Sequence, residues 1–209
     1  MSRRGVIDET PLRLEPERVL ESVDWLGVFG SEAPVEIEIG IGKGRFVLAA
    51  AAERPETNHL AVEWSMQYLR IAESRAFKRG LKNVRFVRVD AGELLLAIPA
   101  SSVSAYYVFY PDPWPKKRHH KRRFFKPQTA DELARTLRPG GLLHVATDHD
   151  SYWEVIEPLL DRHAAFERQA VFGGEDFPLS VDAPLTNFEI KYAREGRSRN
   201  RASWRRAAG

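Results

Sequence analysis

No cysteine occurs among the 209 residues. Its absence excludes structural disulfides, thiolate metal sites and cysteine nucleophiles, and makes an intracellular home the simplest reading. No apolar run approaches the length that crosses a bilayer, and the opening stretch Met1 to Glu9 is polar, without the hydrophobic segment of a secretory signal. Internal repeats are missing too. These absences predict a cytoplasmic protein with no membrane partner. With 43% hydrophobic and 29% charged residues the composition is that of a globular chain with enough apolar material for a sizeable core.

The formal net charge of +3 conceals an uneven distribution. Residues 116–126 hold seven Lys/Arg and no acid, and residues 191–209 hold seven Lys/Arg against Glu195 alone. Removing these 14 bases and one acid from totals of 32 and 29 leaves 18 bases against 28 acids in the remainder. Two basic segments on an acidic body read as an oriented footprint for a polyanion.

Hydrophobic periodicity lays out alternating strands and helices. Strands are predicted at 35–39, 59–63, 84–89, 105–110 and 142–146, then near 166–172 and 188–193. Helices fall at 16–25, 44–53, 65–79 with Ser65 as cap and Gly80 as stop, 93–98, within 122–138, and at 151–163 with Pro158 as a kink. The strands are too apolar for a one-sided sheet. The predicted fold is therefore α/β, a doubly wound, mostly parallel seven-stranded sheet with helices on both faces.

Ligands in such sheets bind beyond the carboxyl ends of the strands. Five acids stand there: Glu38 before Gly40-Ile41-Gly42-Lys43-Gly44, then Glu63, Asp90, Asp112 and Asp148. Each has a plain explanation as a helix cap or turn residue, but five together are hard to assign to caps alone. The glycine loop is compatible with a nicotinamide dinucleotide or with a methyl donor. Its G-x-G-x-G spacing departs from the dinucleotide fingerprint, and Glu38 would repel a diphosphate. A cationic ligand, S-adenosylmethionine, fits these residues better.

Residues 109–123, Phe-Tyr-Pro-Asp-Pro-Trp-Pro-Lys-Lys-Arg-His-His-Lys-Arg-Arg, set Asp112 between prolines just before the first basic run. Prolines fix φ and remove amide donors, so this is a stiff loop and not an inner strand. Asp112 then lies where the donor's methyl should point, and the cations after it suit phosphates, which supply affinity and orientation without reading sequence. Trp114 suits a stacked base or simple loop packing. Adjacent His119 and His120 among seven cations would repel a metal, and no metal site is expected.

The motifs Glu38-x-Gly40-x-Gly42-x-Gly44, Pro111-Asp112-Pro113-Trp114-Pro115-Lys116 with Arg118-His119-His120-Lys121-Arg122-Arg123, and Thr186-Asn187-Phe188-Glu189 together resemble the bacterial tRNA (guanine-N7)-methyltransferases over roughly Val35 to Tyr192. The resemblance implies the class I S-adenosylmethionine-dependent fold, a Rossmann-like sheet. It implies methylation of N7 of a guanosine in the tRNA variable loop, with S-adenosylhomocysteine as by-product. Donor contacts are implied at Glu38, Gly40, Gly42, Gly44, Glu63, Asp90 and Asp112, with Asp112 also catalytic. Substrate contacts are implied at Lys116, Asp148, Thr186, Asn187, Phe188 and Glu189, and RNA-backbone contacts at Arg118, His119, His120, Lys121, Arg122 and Arg123. Position 120 is His where Asn is more usual, and Tyr110 replaces the commoner Phe. The chain is read as one methyltransferase domain over 1–209, with an arm and short helix over 1–30 and a basic tail over 197–209 whose order without RNA is left open.

Three rivals remain at this point, of which a nicotinamide enzyme is the weakest. An amino-group methyltransferase would orient an exocyclic amine with an Asp-Pro-Pro-aromatic motif, whose second proline is lacking here. A non-catalytic RNA-binding module would explain the basic segments but not the donor-side acids. Monomer and homodimer are both open.

Overall fold

The structure is a computed structural model that describes residues 12–174, 177–181, 185–186, 189–190, 195 and 199–208. A two-residue edge strand β1 (Arg13–Leu14) and two short helices, α1 (Glu17–Leu20) and α2 (Trp25–Phe29), precede the regular alternation. The alternation runs β2 (Val35–Ile39), α3 (Arg45–Glu53), β3 (Asn58–Val62), α4 (Met66–Lys78), β4 (Val84–Val87), α5 (Ala91–Ala97) and β5 (Val103–Phe109). A 3-10 helix (Lys117–Arg122) leads to α6 (Pro127–Thr136), β6 (Leu137–Thr147), α7 (Asp150–Asp161), β7 (Phe166–Arg168) and β8 (Asn200–Arg206).

The sheet order is β1-β4-β3-β2-β5-β6-β8-β7. All pairs through β6 are parallel, and β8 runs antiparallel to both β6 and β7. Strands β2, β3 and β4 are buried almost throughout, as a sheet covered on both faces requires. One face carries Ile37, Tyr106, Val108, Leu143 and Val145 under α1, α2 and α5 to α7, and the other packs on α3 and α4 through residues such as Val47, Leu48, Leu69 and Ala72. Strand order reverses between β2 and β5, and the crevice at their carboxyl ends is where such sheets bind ligands.

Four differences from the periodicity are physical in origin. The sheet has eight strands, because β1 adds an edge pairing to β4 through Arg13 and Leu14 alone. The helix expected over 16–25 is two, the second started at Asp24 and stopped by Gly30 in the left-handed region, φ 70°. The segment 122–138 is broken before Pro127, which sits at the first helical position, where its missing N–H costs nothing. The last strand is Asn200–Arg206, whereas Glu189 and Ile190, inside the expected strand 188–193, are helical and the rest of that stretch lies outside the described residues.

The basic tail expected over 197–209 therefore contains an interior strand. Its Ala202, Ser203 and Trp204 are buried, and Trp204, with no exposed surface, donates its indole N–H to Asp161 Oδ1 at 2.8 Å. Arginines on either side of this buried centre lend the stretch the composition of a solvated tail, but their long apolar stems lie well on a packed surface.

Candidate active site

The glycine loop is held by the two acids nearest it. Glu63, just past β3, accepts the Gly42 N–H on Oε2 and the Ser65 N–H on Oε1, both at 2.8 Å. Glu38 on β2, almost wholly buried, accepts the Val47 N–H at 2.9 Å and so ties the strand to the start of α3. Burial pushes the Glu38 carboxyl up to about 8, helped by the charge of Glu63, and burial also raises Glu63. Gly44, at φ 74°, caps α3, and a Cβ there would come within 2.8 Å of the Ala72 methyl. Gly40, at φ 79°, has open space where a Cβ would stand, so no side chain screens the loop there, and its N–H donates to the Val62 carbonyl at 2.9 Å.

A cleft of about 420 Å³ opens over this loop, lined among others by Gly40, Gly42, Glu63, Asp90, Asp112 and Trp114. This volume falls within the range of small-molecule sites. A smaller cavity of about 160 Å³ on the other side of the loop brings Glu38 together with Thr186. Asp90 is at once the cap of α5: its Oδ1 accepts the Gly92 and Glu93 N–H groups at 2.8 and 3.2 Å.

Asp112 lines the same cleft as the glycine loop, exposed, just past the end of β5. Its loop is strained. Tyr110 and Trp114, at φ 54° and 42°, are two of only three non-glycine residues with positive φ among those described. Arg123 holds it down: its Nε donates to the Pro113 carbonyl at 2.8 Å, and its guanidinium lies 4.6 Å from the centre of the Tyr152 ring. Arg123 is 5% exposed, and its charge is turned to the loop. The other members of the run keep to the surface. Lys116, Arg118, His120, Lys121 and Arg122 are exposed and His119 half-buried, five of them along the 3-10 helix that follows the Asp112 loop.

Asp148 lies just past β6 and lines neither cavity, and Thr186 and Glu189 lie in the chain before β8. Thr186 Oγ1 accepts the Glu189 N–H at 3.1 Å, while Glu189 accepts the Leu185 N–H at 2.5 Å, the reciprocal pattern of a capping box displaced by one residue. Glu189 is buried and ion-paired with Arg199. It also bonds Tyr110, whose hydroxyl is pushed far up by burial and then by the Glu189 and Asp148 charges. Glu189 thus fastens the segment to the Asp112 loop, while Thr186 reaches the cavity. Asn187 and Phe188 lie outside the described residues.

This arrangement, a glycine loop between two carboxylates with an acidic proline loop in the same cleft, has relatives. Residues 32–202 match a family described as putative methyltransferases. A tRNA (guanine-N(7)-)-methyltransferase of Nocardia farcinica is 38% identical over 97% of this chain and 78% of its own length, and one of Halorhodospira halophila is 40% identical over 87% and 78%. The chain belongs to the tRNA (guanine-N7)-methyltransferase family. Among solved structures, the 16S rRNA methyltransferase KamB aligns with 90% of this chain and 95% of its own at a TM-score of 0.62 and 18% identity, a likeness of fold. The fold is that of the class I methyltransferases.

Two further residues of this family member's cleft are not strand-end acids and carry no motif of their own. Trp64, 64% exposed, lines the cleft directly after Glu63 and carries the Arg88 guanidinium 4.9 Å from its ring centre. Tyr68 lines both cavities. Their signal in the sequence is position, one and five residues past a strand-end acid. Among the described residues no cluster of three or more His, Asp or Glu is arranged to hold a metal, and no helix is long and apolar enough to cross a membrane.

Proposed function

We infer that this protein transfers a methyl group from S-adenosylmethionine to N7 of a guanosine in the variable loop of tRNA. The observation that carries this reading is the position of Asp112, in one cleft with the glycine loop and a few residues before an exposed basic helix. The residues present suit a cationic donor. Glu38 and Glu63 are carboxylates whose ionised forms burial disfavours, so a positive ligand beside them relieves a cost already present in the fold. Glu38 and the glycines would hold the amino-acid end, Glu63 the ribose hydroxyls, and Asp90 the adenine. When bound, the donor supplies a methyl group on a sulfonium, whose positive charge passes to the guanine ring as N7 takes the methyl.

Guanine N7 carries a lone pair and no proton at neutral pH, so Asp112 need not act as a base. Its carboxylate stabilises the positive charge that grows on the ring, the counterpart of an oxyanion hole with the signs reversed. The side chain is exposed, so water is excluded by the arriving guanosine and its RNA and not by the protein alone. Asp148, whose charge reaches the Tyr110 hydroxyl, and Thr186, in the cavity with Glu38, offer oxygen acceptors that suit the N1–H and 2-amino group by which guanine differs from adenine. Lys116 and the exposed cations Arg118, Lys121 and Arg122 grip phosphates. Pinning of the Pro113 carbonyl by Arg123 holds the carboxylate in place, and positioning of this kind supplies much of the acceleration in a displacement.

The test is incubation with unmodified tRNA transcript and methyl-labelled S-adenosylmethionine, followed by nucleoside analysis. Label in 7-methylguanosine that disappears when the variable-loop guanosine is replaced, and that Asp112→Asn nearly abolishes while tRNA is still retained, is expected. Label in another nucleoside would move the assignment to the amino-methylating rival.

A further inference from the structure

Two tryptophans line the cleft, and each carries an arginine guanidinium 4.9 Å from its ring centre: Trp64 with Arg88 and Trp114 with Arg122. They belong to different sides. Trp64 follows Glu63 at the end of β3, on the donor side, and Arg88 also donates to its carbonyl at 3.0 Å. Trp114 follows Asp112 by two residues and stands where the cleft meets the basic helix, with the His119 ring edge-on at 5.9 Å. Trp114 is moreover kept in the left-handed region, φ 42°. A bulky residue persists there only when its surroundings over-determine it, and such residues gather at ligand clamps.

The Trp114 face already receives a flat cation. Guanine becomes a flat cation when N7 is methylated, and tryptophan is the best of the aromatic side chains at holding one. Building on the guanine-N7 reading, we propose that the indole of Trp114 is the seat on which the target guanine stacks. The Arg122 guanidinium holds that seat in the free protein and swings to the RNA backbone when the base enters. Because the ring charge is larger in the transition state than in the bound substrate, the indole attracts the transition state more strongly, so its removal lowers kcat as well as binding. Asp112 and Trp114, on one stiff loop, thereby act on the same charge, the first through a carboxylate and the second through a π face.

Two measurements test this. In the first, Trp114→Ala and Trp114→Phe are compared with the unaltered protein for methyl transfer to tRNA and for donor binding by calorimetry. Base–aromatic stacking predicts a fall in kcat/KM of about 10- to 100-fold for Trp114→Ala. Partial rescue by Phe and an unchanged donor Kd are also expected. Unchanged kcat/KM overturns the proposal, and so does a fall that follows donor affinity. In the second, tryptophan fluorescence is titrated with 7-methylguanosine monophosphate, guanosine monophosphate and adenosine monophosphate. Quenching is expected to be strongest for the methylated cation, to vanish in Trp114→Phe and to survive in Trp64→Phe. Quenching retained in Trp114→Phe, or abolished only in Trp64→Phe, overturns it. The titration needs no turnover, so a protein that forms no 7-methylguanosine but shows this pattern would sink the reaction and leave the seat standing.

Discussion

Residues 116–126 are rich in lysine and arginine and residues 199–206 in arginine, and as strings of letters they look alike. In the structure they do opposite work. Around the 3-10 helix most of the cations are exposed and project into solvent, the state that suits a polyanion arriving from outside. In and just before β8 the arginines are consumed by the fold: Arg201 donates to the Val181 carbonyl at 2.8 Å and lies over Phe172, Arg205 donates to the Gly140 carbonyl at 2.9 Å, Arg206 bonds the Leu137 carbonyl and Ser101 Oγ, and Arg199 pairs with Glu189. Carbonyls at the start of β6 and in the chain before β8 attract guanidiniums as well as phosphates do, because an arginine fork satisfies several acceptors at once. What separates the two segments is whether protein acceptors are within reach.

The largest expected effect breaks the second segment. A chain ending at residue 198 removes an interior strand, leaves β7 unpaired and β6 paired with β5 alone, and should show no cooperative unfolding transition by circular dichroism. Trp204→Ala alone should cost about 3–5 kcal/mol, since it empties a fully buried site. The complementary change acts on the first segment. Neutralising Lys117, Arg118 and Lys121 together should lower the slope of log tRNA affinity against log salt by about one for every phosphate that these side chains neutralise, with the melting temperature unchanged. An unchanged slope would make that helix an ordinary solvated surface.

Arg123 sharpens the comparison, because it lies in the first segment but is built like the second. Arg123→Gln should depress methyl transfer about tenfold or more through the loosened Asp112 loop, on the scale of a misplaced catalytic group. It should also lower the melting temperature and leave the salt slope where it was. A fall in slope would return Arg123 to the RNA. The smallest effect is expected for Arg205→Gln, a destabilisation of about 1–2 kcal/mol from orphaned acceptors. That is several degrees of melting temperature for a chain of this size, with tRNA affinity and its salt dependence untouched.

The parts of the fold legible in the sequence are those with a local cause. Strands β2 to β6 announce themselves by apolar runs between glycine, proline and acidic residues, and Ser65 and Gly80 bound α4 as caps do. Four of the strand-end acids, Glu38, Glu63, Asp90 and Asp112, converge on the glycine loop and its cleft because parallel strands deliver their carboxyl ends to one edge, so the rule that singles them out is topological. Strand β8 is not legible in this way. A strand with three buried residues between arginine-rich ends has the composition of a tail, and nothing local distinguishes an arginine that will find a carbonyl from one that will stay in water.

Sequence by itself thus determined the doubly wound class, the glycine loop, the acid at each strand end and the stiff proline loop, since each follows from periodicity, backbone restriction or chain order. Tertiary structure alone decided the partners of the charges. It buried Arg123 beneath the Asp112 loop, set Glu189 against Tyr110 and Arg199, and drew the last arginines into the sheet. A charge interacts with whatever lies within a few ångströms in space, and those neighbours come from residues 10 to 105 positions away along the chain.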